Sequence, residues 1–251
     1  MPELREAQVI ELFHLALLQV LRARLDQARY VLKGGVNLRY FFDSVRYSED
    51  IDFDAAAIEP SALEEKMDGI LASPAMDALL RSGGLAIDGS TKPKQTAATQ
   101  RWKVSLAVGG RREPIRTKIE FSHRAGDRRR ILEAVPGRVV APYALRAPTV
   151  LHYTADAAIE QKIEALAGRS ETQARDVFDL DLLLRRQPIT AEAIEPQILE
   201  RAVERALELP FAAFRDQVAP FLDPEVAELY AGPAAWEQMQ TFGAEQLMEA
   251  Q

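Results

Sequence analysis

Residues 48–54, Ser-Glu-Asp-Ile-Asp-Phe-Asp, constrain this 251-residue chain more than any other stretch. Ser48, Asp50, Asp52 and Asp54 alternate with Ile51 and Phe53. Such alternation predicts a strand with one apolar and one acidic face. On a strand, residues i and i+2 point the same way, roughly 6.5–7 Å apart. Asp50 and Asp52 so placed suit a hard, oxygen-seeking cation such as Mg²⁺. One such pair can bridge two ions ~3.5–4 Å apart. Taken alone, Asp-x-Asp equally describes an exposed strand face or a turn.

The flanking sequence adds to this. Arg29–Lys33 is a short β-prone run stopped by Gly34-Gly35, and a helix is expected from about Val36 to Phe42. Glycines at such a junction let a phosphate approach the backbone, and a helix N-terminus offers it free N–H groups. A tight turn is the other reading of the two glycines. Ser48 either places a hydroxyl beside Asp50 or caps a turn. Upstream, residues 4–28 have the helical spacing of Val9, Phe13, Leu17, Val20 and Leu21. Downstream, residues 60–81 read as one helix with Ser61 as N-cap. Thr99–Val108 and Pro114–His123 alternate as strands, and Gly109-Gly110 between them predicts a hairpin. Glu120 lies mid-strand on the polar face, between Lys118 and Ser122. There it suits a third metal ligand and a base near an acceptor hydroxyl, or an ion pair with Lys118 or Arg116.

After about residue 150 the pattern becomes helical. Ala155–Gly168, Arg175–Arg186 and Ala191–Leu207 read as helices, followed by shorter ones punctuated by Pro210, Pro220, Pro224 and Pro233. The expected architecture is α+β: a mixed sheet with helices over residues 1–150, then a helical domain over 151–251. With no cysteine, disulfides, thiolate metal sites and Cys nucleophiles are excluded. His14, His123 and His152 are too scattered for a zinc site. No apolar run approaches the ~20 residues of a membrane span. The N-terminus lacks the basic start and apolar core of a secretory signal, so a cytoplasmic protein is expected.

A net charge of −7 conceals an asymmetry. Lys92–Arg130 holds 12 Lys/Arg against 3 Asp/Glu, whereas Thr190–Gln251 holds 3 against 12. The basic middle predicts a local anionic partner. Arg111, Arg112, Arg128, Arg129 and Arg130 are the candidate RNA contacts, although a run such as 128–130 also suits a solvated loop.

Leu32-Lys33-Gly34-Gly35-Val36-Asn37-Leu38 and Arg46-Tyr47-Ser48-Glu49-Asp50-Ile51-Asp52-Phe53 together resemble motifs of the AbiEii/AbiGii toxin family. These are bacterial nucleotidyltransferase-like proteins of toxin–antitoxin and phage-defence (abortive infection) systems, related to the MenT toxins. Glu120-Phe121-Ser122, Lys162 within Gln161-Lys162-Ile163-Glu164, and Arg175-Asp176-Val177-Phe178-Asp179-Leu180 are similar to further motifs, in the family's order. The gap from Lys162 to Arg169 is longer than the family's usual lysine–arginine spacing. The resemblance implies a nucleotidyltransferase fold, with an NTP substrate bound through Lys33, Gly34, Gly35, Ser48, Lys162, Asp176 and Asp179. It implies Mg²⁺ or Mn²⁺ on Asp50, Asp52 and Glu120, with Lys162 among the catalytic residues. It further implies tRNA or another RNA as acceptor, and a cognate antitoxin. A protein or small-molecule acceptor, or an inactive copy of the fold that only binds a partner, are the competing expectations.

Overall fold

The computed structural model describes residues 4–124, 126–189 and 194–250. They form two compact units, one of residues 1–41 and 47–153, the other of residues 42–46 and 154–251.

The first unit is built on a seven-stranded mixed sheet. Its strands are β1 (Tyr30–Lys33), β2 (Asp50–Ala55), β3 (Leu85–Gln95), β4 (Thr99–Val108), β5 (Ile115–Ser122), β6 (Arg130–Ala134) and β7 (Thr149–Tyr153). They lie in the order β3-β4-β5-β2-β1-β7-β6. β2 runs parallel to β5 and antiparallel to β1, and β1 runs parallel to β7. The β4–β5 hairpin turns at Gly109-Gly110, where Gly110 has a φ of 85°. Ile51, Phe53, Ile119, Phe121, Trp102 and Val104 bury one sheet face. Phe53 stacks on Phe121 at 4.8 Å between ring centroids, and Trp102 meets Phe121 edge-on at 6.0 Å. Helix α1 (Glu6–Arg24) packs against β5 and β7, and against α3 (Pro60–Leu71) and α4 (Pro74–Ser82). The opposite sheet face carries the charged residues of β2, β4 and β5. Short helices α2 (Gly34–Phe41) and α5 (Gly137–Val140) complete the unit.

The structure departs from these expectations in several places. The helix expected over residues 60–81 is two helices, because Ser73 accepts a hydrogen bond from the Met76 N–H and Pro74 starts a new helix at its first position. Strands β3 and β6 escape sequence reading because they are the sheet's two edges and are largely exposed, so no apolar period marks them. The five-residue β7 was likewise not read from the sequence.

The second unit is helical: α6 (Ala155–Gly168), α7 (Ala174–Leu184), α8 (Pro196–Leu207), α9 (Phe211–Gln217), α10 (Pro224–Leu229) and α11 (Pro233–Glu249). The start expected for α8, at Ala191, lies outside the described residues. The last helix has 17 residues, against the short ones expected there. It packs on α7, α8 and α9, with Trp236 among its buried residues. Trp236 Nε1 donates to the Leu209 carbonyl at 3.0 Å. No helix among the described residues is long and apolar enough to cross a membrane.

Gly34 opens α2 with a φ of 68°, and a Cβ there would stand 2.9 Å from Asp52 Oδ2. Gly34→Ala should therefore cost about 1–2 kcal/mol from the left-handed backbone alone, and it should push the Asp52 side chain aside. A thermal melt of the variant beside wild type checks the first effect.

Candidate functional site

The site begins with the register of β2 against β5. Asp50 pairs with Lys118, Asp52 with Glu120, and Asp54 with Ser122, so these side chains share the polar sheet face. β4 continues the rows: Lys103 stands opposite Lys118, and Arg101 opposite Glu120. Four carboxylates and three cations thus occupy neighbouring positions on three strands.

Each carboxylate has a different surrounding. Asp50 forms an ion pair with Lys118. Glu120 accepts from Arg101 through Nε at 2.8 Å and stands 2.6 Å from its Nη2. Burial raises the Asp52 carboxyl pKa, the negative charges of Asp50 and Glu120 raise it further, and Lys33 and Lys118 only partly oppose them. Asp54 is buried and accepts from Lys33 Nζ at 2.5 Å and from the Tyr153 hydroxyl at 2.7 Å. Lys33, expected at the nucleotide, is therefore engaged by a neighbouring carboxylate. Ser48 donates to the Asp50 carbonyl at 2.8 Å, securing the start of β2. Of the two glycines, Gly34 makes room for Asp52, and Gly35 is the second residue of α2.

Among the described residues no three acidic or histidine side chains stand in a geometry that holds a metal ion. Lys118 and Arg101 account for this, since each draws one carboxylate to itself. The donor set nevertheless fits a hard divalent cation. It consists of carboxylate oxygens alone, and Asp52 lies where like charges concentrate, with no hydrogen-bonded cation of its own among the described residues.

The basic segment is divided. Arg111 and Arg112 sit at the exposed β4–β5 turn, where Arg111 donates to the Leu4 carbonyl at 3.1 Å. Arg128 and Arg129 precede β6 and Arg130 opens it, at the other side of the sheet. Five strand spacings separate β4 from β6, roughly 24 Å at ~4.8 Å each. The two arginine groups do not form one patch.

The second unit holds its own charged cluster. Lys162 Nζ, on α6, donates to Asp176 Oδ1 at 2.8 Å and to Asp179 Oδ2 at 2.6 Å, both on α7. Both aspartates are fully buried. Arg46 Nη2 donates to both oxygens of Asp179, at 3.0 and 2.8 Å. Burial pushes the Asp179 carboxyl up, but Arg46 and Lys162 outweigh it and hold the pKa below the ordinary value. Asp176 Oδ2 is buried and accepts no hydrogen bond among the described residues, with Arg169 Nε 3.3 Å away. Asp176 and Asp179, expected at the nucleotide, thus face Lys162 and the arginines. Two residues that sequence reading did not assign join them. Arg46 stands in the motif before Asp50 yet belongs to this unit, and Arg169 reaches Asp176 despite its longer spacing from Lys162.

Residues 16–249 match the profile of the nucleotidyl transferase AbiEii toxin family of type IV toxin–antitoxin systems. The chain belongs to that family. It is a nucleotidyltransferase of AbiEii type. No curated protein matches it in sequence. Among solved structures it is similar to MenT4, a nucleotidyltransferase toxin from Mycobacterium tuberculosis, with 18% identity, a TM-score of 0.63, and coverage of 97% of this chain and 84% of that one. It is also similar to JHP933 from Helicobacter pylori, with 19% identity, a TM-score of 0.58, and coverage of 98% and 95%. These likenesses confirm the mixed-sheet fold of the AbiEii chain.

Two expected outcomes follow from the charges. The folded-state pKa of Asp52 lies above its ordinary value of 3.8, so its ionisation weakens the fold. Asp52→Asn should melt higher than wild type at pH 7 without divalent metal. The gain should shrink as pH falls through the folded-state pKa and vanish below 3.8, where wild-type Asp52 is protonated both folded and unfolded. Melting curves at several pH values check this. In the second unit, Lys162→Ala removes a cation from two buried carboxylates and should cost on the order of 3–5 kcal/mol. Chemical denaturation measures that loss, and any change in activity has to be judged against it.

Proposed function

We propose that this AbiEii chain transfers a nucleotide from an NTP to an acceptor hydroxyl on RNA, with the 3′ end of tRNA the first candidate. The observation that carries the proposal is the row of Asp50, Asp52 and Glu120 across β2 and β5, with like charge concentrated on Asp52. These three carboxylates would hold Mg²⁺ or Mn²⁺, which when bound offsets the negative charge of the triphosphate. The acceptor hydroxyl attacks the α-phosphorus, the bond to the bridging oxygen breaks, and pyrophosphate leaves. The hydroxyl proton passes to a carboxylate of the row, with Glu120 in that role. Lys162 supplies a point charge to the triphosphate. Asp176, Asp179 and Arg46 act on it indirectly, by holding the ammonium in place. The biological role is growth arrest or phage defence in the cytoplasm, relieved by a cognate antitoxin. The family's toxin–antitoxin membership supports this part of the reading.

The test is to incubate the purified chain with each NTP labelled at the α-phosphate, Mg²⁺ and total RNA. Label is expected in RNA of tRNA size. Asp50→Ala should lower incorporation by at least a hundredfold while leaving the melting temperature level or raised. Label in protein or in small molecules, with none in RNA, would overturn the acceptor. An active Asp50→Ala variant would overturn the site.

A further inference from the structure

The polar sheet face continues from the carboxylates towards β3. Successive rows across β2, β5, β4 and β3 read Asp50, Lys118, Lys103, Thr91, and then Asp52, Glu120, Arg101, Lys94. A further row aligns Arg116, Ser105 and Gly89 across β5, β4 and β3. Acids thus lie on the β2 side and cations towards the edge. A cavity of about 560 Å³ opens along these rows, and its walls include Asp50, Lys118, Lys103, Arg116, Ser90 and Thr91. That volume lies within the range of small-ligand sites, roughly 300–1,000 Å³.

The chemistry of the walls selects the ligand. Lys118 is engaged by Asp50, whereas Lys103 and Arg116 form no ion pair among the described residues. Glu49 also lines the cavity, but two cations without an ion pair at a concave surface, with Thr91 on the same sheet face as Lys103, match the oxygens of a phosphate. Gly89 adds no bulk, since a Cβ placed there would meet nothing within 4 Å. Asp50 belongs both to this cavity and to the carboxylate row, so a ligand seated here has one end at the proposed reaction centre.

We propose that the cavity between β2 and β3 is a phosphate site for one of the two substrates, with Lys103 and Arg116 as its binding cations. The inference rests on the transfer reading above only for the ligand's purpose, because phosphate binding itself can be measured without turnover. The phosphate comes either from the triphosphate of the NTP or from the backbone of the acceptor, and the two sources separate in the experiment.

The experiment compares wild type with the double variant Lys103→Ala/Arg116→Ala. Both side chains are exposed, so the melting temperature should not move. Titration calorimetry with inorganic tripolyphosphate and, separately, with a short 5′-phosphorylated single-stranded RNA gives two affinities at three salt concentrations. Tenfold or greater weakening towards tripolyphosphate alone assigns the cavity to the NTP. The same weakening towards the RNA alone assigns it to the acceptor, and the salt slope should then fall by about 1.4, near 0.7 for each cation removed. Either outcome supports the site. Affinities for both probes within twofold of wild type, or a wild type that binds neither, overturn it and leave a solvated charged strand face. A cavity assigned to phosphate in a protein that transfers no label would refute the transfer reading and not this one.

Discussion

The parallel pairing of β2 with β5 sets Asp52 directly opposite Glu120, and two residues earlier it sets Asp50 opposite Lys118. Side chains at directly paired positions on one face are close neighbours, and like charges there repel. The protein accepts this repulsion because the other face of the same two strands contributes Ile51, Phe53, Ile119 and Phe121 to the core. Slipping β2 by one residue would relieve the charges only by sending Ile51 and Phe53 to the charged face. Apolar burial therefore fixes the carboxylates where electrostatics alone would separate them.

Two sets of carboxylates in this chain meet opposite fates for one physical reason. Asp52 and Asp179 are both pushed up by burial. Around Asp52 the next largest influences are two more carboxylates, so its pKa stays raised. Around Asp179 they are Arg46 and Lys162, so its pKa is lowered. Within its own unit Asp179 is paired with Arg46 and Lys162. In the Asp52 cluster Lys118 and Arg101 are each committed to a neighbouring carboxylate.

The parts of this arrangement that were legible in the sequence were those with a strong period. Asp50, Ile51, Asp52 and Phe53 alternate cleanly, as do Ile115–Phe121, because each strand buries one face and solvates the other. Edge strands bury little, so β3 and β6 carried no such pattern. The break at Ser73-Pro74 was missed because apolar residues continue at helical spacing on both sides of it. Arg46 stood in plain view four residues before Asp50, yet spacing alone gave no sign that it reaches residue 179, a contact formed only by folding. The basic segment is the opposite case. Its charge is continuous in sequence, but the sheet order places its two arginine groups on different sides of four intervening strands. Lys103, which spacing did not single out, and Arg116, expected only as a possible partner of Glu120, are brought together by register.

The central claim is that the β2–β5 register builds a cation-seeking carboxylate row. Titration of the protein with Mn²⁺, followed by the electron paramagnetic resonance of the free ion, tests it most directly. The account predicts binding by wild type that Asp50→Asn/Asp52→Asn weakens by a factor of ten or more, in a variant that stays folded. Equal Mn²⁺ affinity in wild type and the double variant would contradict it.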